Sequence, residues 1–231
     1  MSIPDSKEIE LISQFRQRVA DLNLKGRFLD DHDLLRWIRA RNHNLDQAEK
    51  MIRESIKWRE DNDIDNILTW NPPERFLKEL PLEFLGFDNE NSPVVVVPYG
   101  KWDLKKCADL GEKEEFVKYC DQLFEFLLSK MEGKKKPNGD PVTQFVIIVD
   151  FKGLAYRTLA SVGAVDMSLK VVRSFEANQP ETLKAMYQIN TNTVFAAIFA
   201  LVKPIITSDP AENIQGGNSF CSRNLMSHLG L

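Results

Sequence analysis

The segment SFEANQPETLKAMYQINTNTVFAAIFALVKPI, residues 174–205, decides how this chain is read. Met186, Tyr187 and Ile189 lie among polar turn residues, which predicts a short buried strand. Asn190, Thr191 and Asn192 follow, with side-chain oxygens able to accept the free backbone N–H groups of a helix's first turn. From Val194 through Val202 no residue is polar, and Lys203 and Pro204 end the run. A helix that is apolar on every face must be buried or must meet lipid. Such a run reaches only ~14 Å at the rise of an α-helix, whereas a bilayer core needs about 20 residues. It is therefore no membrane span: either it is a core helix, or it closes an apolar cavity.

Working outward, the rest of the chain alternates helix and strand. Ile12, Phe15, Val19 and Leu22 mark one face of a first helix. Asp30 and Asp31 are placed to cap a second, and Asp46 with Glu49 reads as a capping box for a third. Asn71, Pro72 and Pro73 stop regular structure and make the best candidate boundary. Beyond them, 94–97 is a β-branched run, 116–131 a helix, and 145–149 a continuously apolar strand of the kind covered on both faces. Residues 166–177 form another helix before the strand at Met186. This order predicts an α/β layered domain.

Composition narrows the function classes. The chain has 231 residues, a net charge of -4, 43% apolar and 28% charged residues. That is the profile of an ordinary globular protein, with no electrostatic reason to bind nucleic acid. Cys107, Cys120 and Cys221 have no CxxC spacing, which suits free thiols in a reducing compartment. The stretch MSIPDSKEIE has no basic region followed by an apolar core, so no secretory signal is expected and the cytoplasm is the expected location. His32, His43 and His228 show no metal-ligand spacing, and no nucleophile elbow or phosphate loop is present. No catalytic residue, metal or cofactor is expected. Asp150 has no visible proton-transfer partner and is expected to hydrogen-bond its own turn. The cluster Lys134, Lys135 and Lys136 is expected to be a solvated loop, and Arg36, Arg39 and Arg41 to form ion pairs.

The order of NQPETLK, a strand and an apolar helix ending in LVKP resembles the CRAL-TRIO lipid-transfer family. The likeness extends upstream through DLLRWIRARNHNLDQAEKMIRESIKWRE, DIDNILTWNPPERF, VVVVPYG and FVIIVDFKGL, in the family's order. It is nearest to the animal SEC14-like branch. The resemblance implies an N-terminal helical segment at 1–73 and an α/β lipid-binding domain at 74–206, with 194–202 as a mobile gate. It also implies binding and transfer of a phospholipid, tocopherol, sterol precursor or other isoprenoid, with transient membrane contact and no chemistry. A non-catalytic protein-interaction module with a degraded pocket is the alternative.

Residues 207–231, rich in Ser, Asn and Gly, depart from the family pattern, so the usual closing strand is expected to be missing and the tail to add little stability. Candidate pocket walls are Tyr99, Phe124, Leu128, Ile148, Leu159, Val171, Phe175, Ile189, Phe195 and Phe199, each of which suits a plain core equally well. Lys203 matches the family's basic position after the gate, where a lysine can meet a phosphate or simply end a helix. Where phosphoinositide-binding members carry an acid, counting back from Pro180 gives Lys170. This favours a neutral isoprenoid or another hydrophobic ligand.

Overall fold

The structure is a computed structural model that describes residues 3–22, 24 and 26–205, and the backbone of Ile214–Gly216. Its first helices are α1 (Ser6–Arg18), α2 (Asp31–Arg39) and α3 (Leu45–Asp61). Helix α1 begins with a true capping box: the Asp5 side chain accepts from the Glu8 amide at 2.8 Å, and the Glu8 carboxylate accepts from the Asp5 amide at 3.2 Å. Glu8 also takes both Nε and Nη2 of Arg39 at 2.7 Å and contacts Nε2 of His43 at 3.0 Å. Its apolar face packs Ile12, Phe15 and Val19 against Leu34, Trp37, Ile38 and Ile52. The capping box expected at Asp46 and Glu49 is not the one used. Asn44 is the last residue with an extended backbone, so its side chain accepts from the amides of Asp46 and Gln47, while Asp46 falls inside the first turn.

A short 3-10 turn at Ile64–Thr69 and helix α4 (Glu74–Glu79) lead into the sheet. Strands β1 (Glu83–Phe87) and β2 (Pro93–Val97) form an antiparallel hairpin. Helices α5 (Leu104–Asp109) and α6 (Lys113–Met131) cross over to β3 (Phe145–Asp150), which pairs parallel with β2. Helices α7 (Tyr156–Leu159) and α8 (Val162–Asn178) cross over again to β4 (Leu183–Ile189), parallel to β3. Helix α9 (Thr193–Val202) follows, and the sheet order is sequential. The expected α/β architecture is thus observed.

The sheet separates two apolar clusters. Val95, Val97, Phe145, Ile147 and Val149 belong to the cluster beneath α5, α6, α8 and α9. Val94, Val146, Ile148, Ala185 and Tyr187, their neighbours in the strands, form a cluster on the opposite face. The N-terminal helices join this assembly through a buried ion-pair cluster on α6. Glu125 accepts from Arg59 Nη1 at 2.8 Å, Arg27 Nη2 at 3.1 Å and Gln179 Nε2 at 3.0 Å. Burial works against its charge, but the two guanidinium groups outweigh it and hold the carboxyl below its usual range. The 3-10 turn before Pro72 also lies on α6, with Gln122 Nε2 donating to the carbonyls of Ile67 and Trp70.

One expectation needs correction. The sheet is open, but the edge beside β4 is not bare: β5 (Ile214–Gly216), inside the tail expected to contain no strand, pairs parallel with Met186, Tyr187 and Gln188. Three residues are too few to leave a recognisable apolar pattern, and the pairing is made by backbone alone. Deleting residues 208–231 should therefore lower the thermal midpoint by more than ~5 °C, about 1 kcal/mol or more for a chain of this size. An unchanged midpoint in differential scanning fluorimetry would show that β5 contributes nothing.

Candidate functional site

Helix α9 starts where Asn192 caps it. The Asn192 side chain accepts from the Phe195 amide at 3.0 Å and donates to the Leu154 carbonyl at 3.0 Å, fixing the helix start to the loop after β3. Lys203 closes the helix, its amide bonded to the Phe199 carbonyl at 2.8 Å, and its side chain is exposed. Between these ends Val194, Phe195, Ile198 and Val202 turn toward the helix-covered cluster, where Ile198 is 8% exposed. The other side faces outward: Ala196, Ala197 and Ala200 are exposed, and Leu201 is 47% exposed. The plain core-helix reading fails on this point, because a core helix is covered all round.

A chain of aromatic rings runs inward from α9. Phe199 stacks on Phe195 with centroids 5.6 Å apart, Phe195 lies 4.5 Å from Phe151, and Phe151 lies 5.5 Å from Tyr99. Gly100 makes this approach possible, since a Cβ there would stand 2.4 Å from the Lys152 carbonyl oxygen. The Tyr99 hydroxyl shares a 2.8 Å hydrogen bond with Ser168 Oγ, and burial pushes its pKa up to about 12, so it stays neutral. Phe124 on α6 and Phe175 on α8 meet at 4.8 Å, with Phe145 of β3 6.2 Å from Phe175.

Among the residues predicted to line a pocket, Tyr99, Phe124, Leu128, Leu159, Val171, Phe175 and Phe195 share this one cluster, with Phe199 stacked at its α9 end. Ile148 and Ile189 do not join them: both lie in the cluster on the opposite face. A strand apolar at every position gives no phase for its alternation, so sequence alone could not tell that Ile147 and Val149, not Ile148, face α9. Lys203 sits beyond the cluster at the helix end. Lys170 pairs with Glu114 at 2.9 Å on the surface. Asp150 accepts from the Lys152 amide at 2.9 Å and from Asn190 Nδ2 at 2.8 Å, as expected of a turn residue. Arg36 and Arg39 form the expected ion pairs, with Asp33 and Glu8.

Sequence reading missed a polar pair between α6 and α8. Asp121 on α6 is 6% exposed and accepts a hydrogen bond from Ser174 Oγ on α8 at 2.9 Å. Burial raises its pKa to about 7, partly opposed by the Ser174 hydrogen bond. The available signal was spacing: Asp121 precedes Phe124 and Leu128 by three and seven residues, on one helix face. A cleft of about 1310 Å3 lies elsewhere, between the N-terminal helices and the end of α6, lined by charged groups such as Arg27, Asp33, Arg59 and Glu125; of the predicted wall residues it includes Leu128. Among the described residues no group of His, Cys, Asp and Glu is placed to hold a metal, and no helix is long and apolar enough to cross a membrane.

Comparison with known proteins gives the same fold. Residues 77–227 match the family described as CRAL/TRIO domain, so the match continues through most of the tail read as a departure from the pattern. A curated relative, Protein real-time of Aedes aegypti, is 29% identical over 194 residues, which cover 84% of this chain and 30% of that protein. The chain thus spans about a third of the relative's length. The crystal structure of Sfh5 superimposes with a TM-score of 0.75 at 17% identity, covering 94% of this chain and 82% of that one.

The Asp121 environment has a measurable pH signature. Its folded pKa of about 7 stands above the ordinary 3.8, so between these values the unfolded chain gives up a proton that the folded chain keeps. Stability from this group is therefore lost as pH rises from about 4 to 7. Asp121→Asn should raise the thermal midpoint by roughly 5 °C or more at pH 8 and leave it nearly unchanged at pH 4. A shift that does not vary with pH would contradict the assignment.

Proposed function

Because the chain belongs to the CRAL/TRIO domain family, we propose that it binds a hydrophobic molecule between the sheet, α6, α8 and α9, and exchanges it with membranes without covalent chemistry. The observation that carries this reading is the outer face of α9: an apolar helix lies over an apolar cluster yet leaves Leu201 and three alanines in water. Each exposed apolar Å2 forgoes about 25 cal/mol that contact with lipid would recover. The neighbouring elements extend the surface. α9 packs on α7 and α8, where Tyr156 is 71% and Val162 is 85% exposed. Lys203 at the end of α9 supplies a charge suited to an anionic surface, worth about 1 kcal/mol near the membrane.

The same arrangement supports reading α9 as a gate. In water α9 rests on Phe151 and the cluster beneath; at a membrane its outer face enters the interface and the helix swings clear of the cargo. The N-terminal helices have their own apolar cluster and are tied on through Glu125, which supports reading 1–73 as a helical segment that braces the lipid-binding unit. Replacing Leu201 by Asp tests the reading without touching the buried side of α9. A surface substitution changes stability by no more than ~0.5 kcal/mol, so the thermal midpoint should hold while vesicle co-sedimentation and transfer of a fluorescent lipid fall by about tenfold, the loss of ~1.4 kcal/mol. Unchanged transfer would sink the gate.

A further inference from the structure

We infer that the cleft between the N-terminal helices and the end of α6 is a second binding site, and that it takes a small hydroxylated carboxylate, a molecule of the sugar-acid class. The cleft measures about 1310 Å3, room for a small molecule rather than a single water. None of Phe151, Phe175 and Phe195, the rings beneath α9, lines it. A molecule held there meets both parts of the chain: Arg27, His32 and Asp33 come from the N-terminal side, and Thr143 from the approach to β3.

Buried polar atoms are nearly always hydrogen-bonded. Among the described residues eight buried side-chain nitrogens and oxygens lack a partner, and four of them belong to residues lining this one cleft: Arg27 Nε, His32 Nδ1, Asp33 Oδ2 and Thr143 Oγ1. A fifth, Gln179 Oε1, sits on the side chain whose Nε2 donates to Glu125 in the cleft wall. The set mixes both kinds of group. Arg27 Nε donates, Asp33 Oδ2 and Gln179 Oε1 accept, and a hydroxyl or imidazole nitrogen serves either way, which suits a ligand rich in hydroxyl groups.

The charge comes from two guanidinium groups. Arg36 is 3% exposed; its Nε donates to Asp33 Oδ1 at 2.8 Å and its Nη1 to the Asn178 carbonyl at 3.4 Å, while Nη2 makes no hydrogen bond among the described residues. Burial pushes the Arg36 pKa down, Asp33 opposes this, and the charge of Arg27 pushes it down further. Arg27 spends Nη2 on Glu125 at 3.1 Å. Arg59, the third arginine, is committed to Glu125 and Asp65. A carboxylate set against Arg27 and Arg36 accepts from both and offsets their repulsion. The exposed rim carries both signs, Asp30, Glu60 and Glu132 with Lys134 and Lys135, so it offers no surplus of positive charge for a doubly charged anion.

The test titrates the full chain calorimetrically, at constant ionic strength, with four probes of one carbon-chain length: gluconate, hexanoate, sorbitol and sorbitol phosphate. Gluconate should bind about tenfold more tightly than hexanoate, which lacks the hydroxyls, and than sorbitol, which lacks the charge. Thr143→Val removes a hydroxyl that has no partner within the protein, so the thermal midpoint should hold or rise while gluconate affinity falls about tenfold. Arg27→Lys keeps a positive charge beside Glu125 but removes Nε, and the same loss is expected; if this variant does not fold, Thr143→Val decides the matter. No binding of gluconate by wild type, equal binding of hexanoate or sorbitol, or a folded variant that keeps full affinity would overturn the site. Tighter binding of sorbitol phosphate would overturn the assignment to a singly charged carboxylate.

Discussion

Strand β3 is hydrogen-bonded to a parallel neighbour on each side, and most of the architecture follows from that. Parallel strands cannot be joined by a tight turn; each crossover needs a dozen or more residues, here supplied by α5 with α6 and then by α7 with α8. A strand paired on both edges and apolar at every position must also have both faces covered. The crossover helices cover one of them. Because α9 leaves β4 immediately after Ile189, it is laid over the same face, and its residues become the outermost layer of the same cluster.

The second constraint is electrostatic. Glu125 lies in the crossover helix with its charge kept by Arg27 and Arg59, so the N-terminal helices are attached by a buried charge cluster: removing both guanidinium groups would leave an uncompensated buried charge, a loss of about 3–5 kcal/mol. The same helix carries Asp121 four residues earlier, where burial and the neighbouring Glu125 carboxylate raise its pKa and a hydrogen bond from Ser174 partly opposes them. Two acids one turn apart on α6 thus have opposite fates. One is held below its usual range and ties two parts of the chain together; the other is raised to about 7 and gains a proton far more readily.

Much of this was legible in the sequence, and the failures have definite causes. Helices α1, α3, α6 and α8 and strands β2, β3 and β4 announce themselves by periodicity, and Asn192 by its place before an apolar run. The facing of β3 was illegible, because alternation has no phase when every residue is apolar, and Ile148 was consequently assigned to the wrong side. Strand β5 was hidden because a three-residue backbone pairing leaves no pattern in side chains. Strand β1 was obscured in EFLGF, where Gly86 has a positive φ and the pairing register shifts. Asp121 was overlooked since polar residues are normal on a helix; only packing against α8 reveals that it is buried.

The central claim is that the cargo occupies the helix-covered side of the sheet, under α9. Photolabelling with a diazirine-bearing fatty alcohol, followed by peptide mass spectrometry, tests it most directly. The account predicts adducts on α6, α8 and α9, around Phe124, Phe175 and Phe195. Adducts concentrated on Val146, Ile148 and Tyr187, across the sheet, would contradict it.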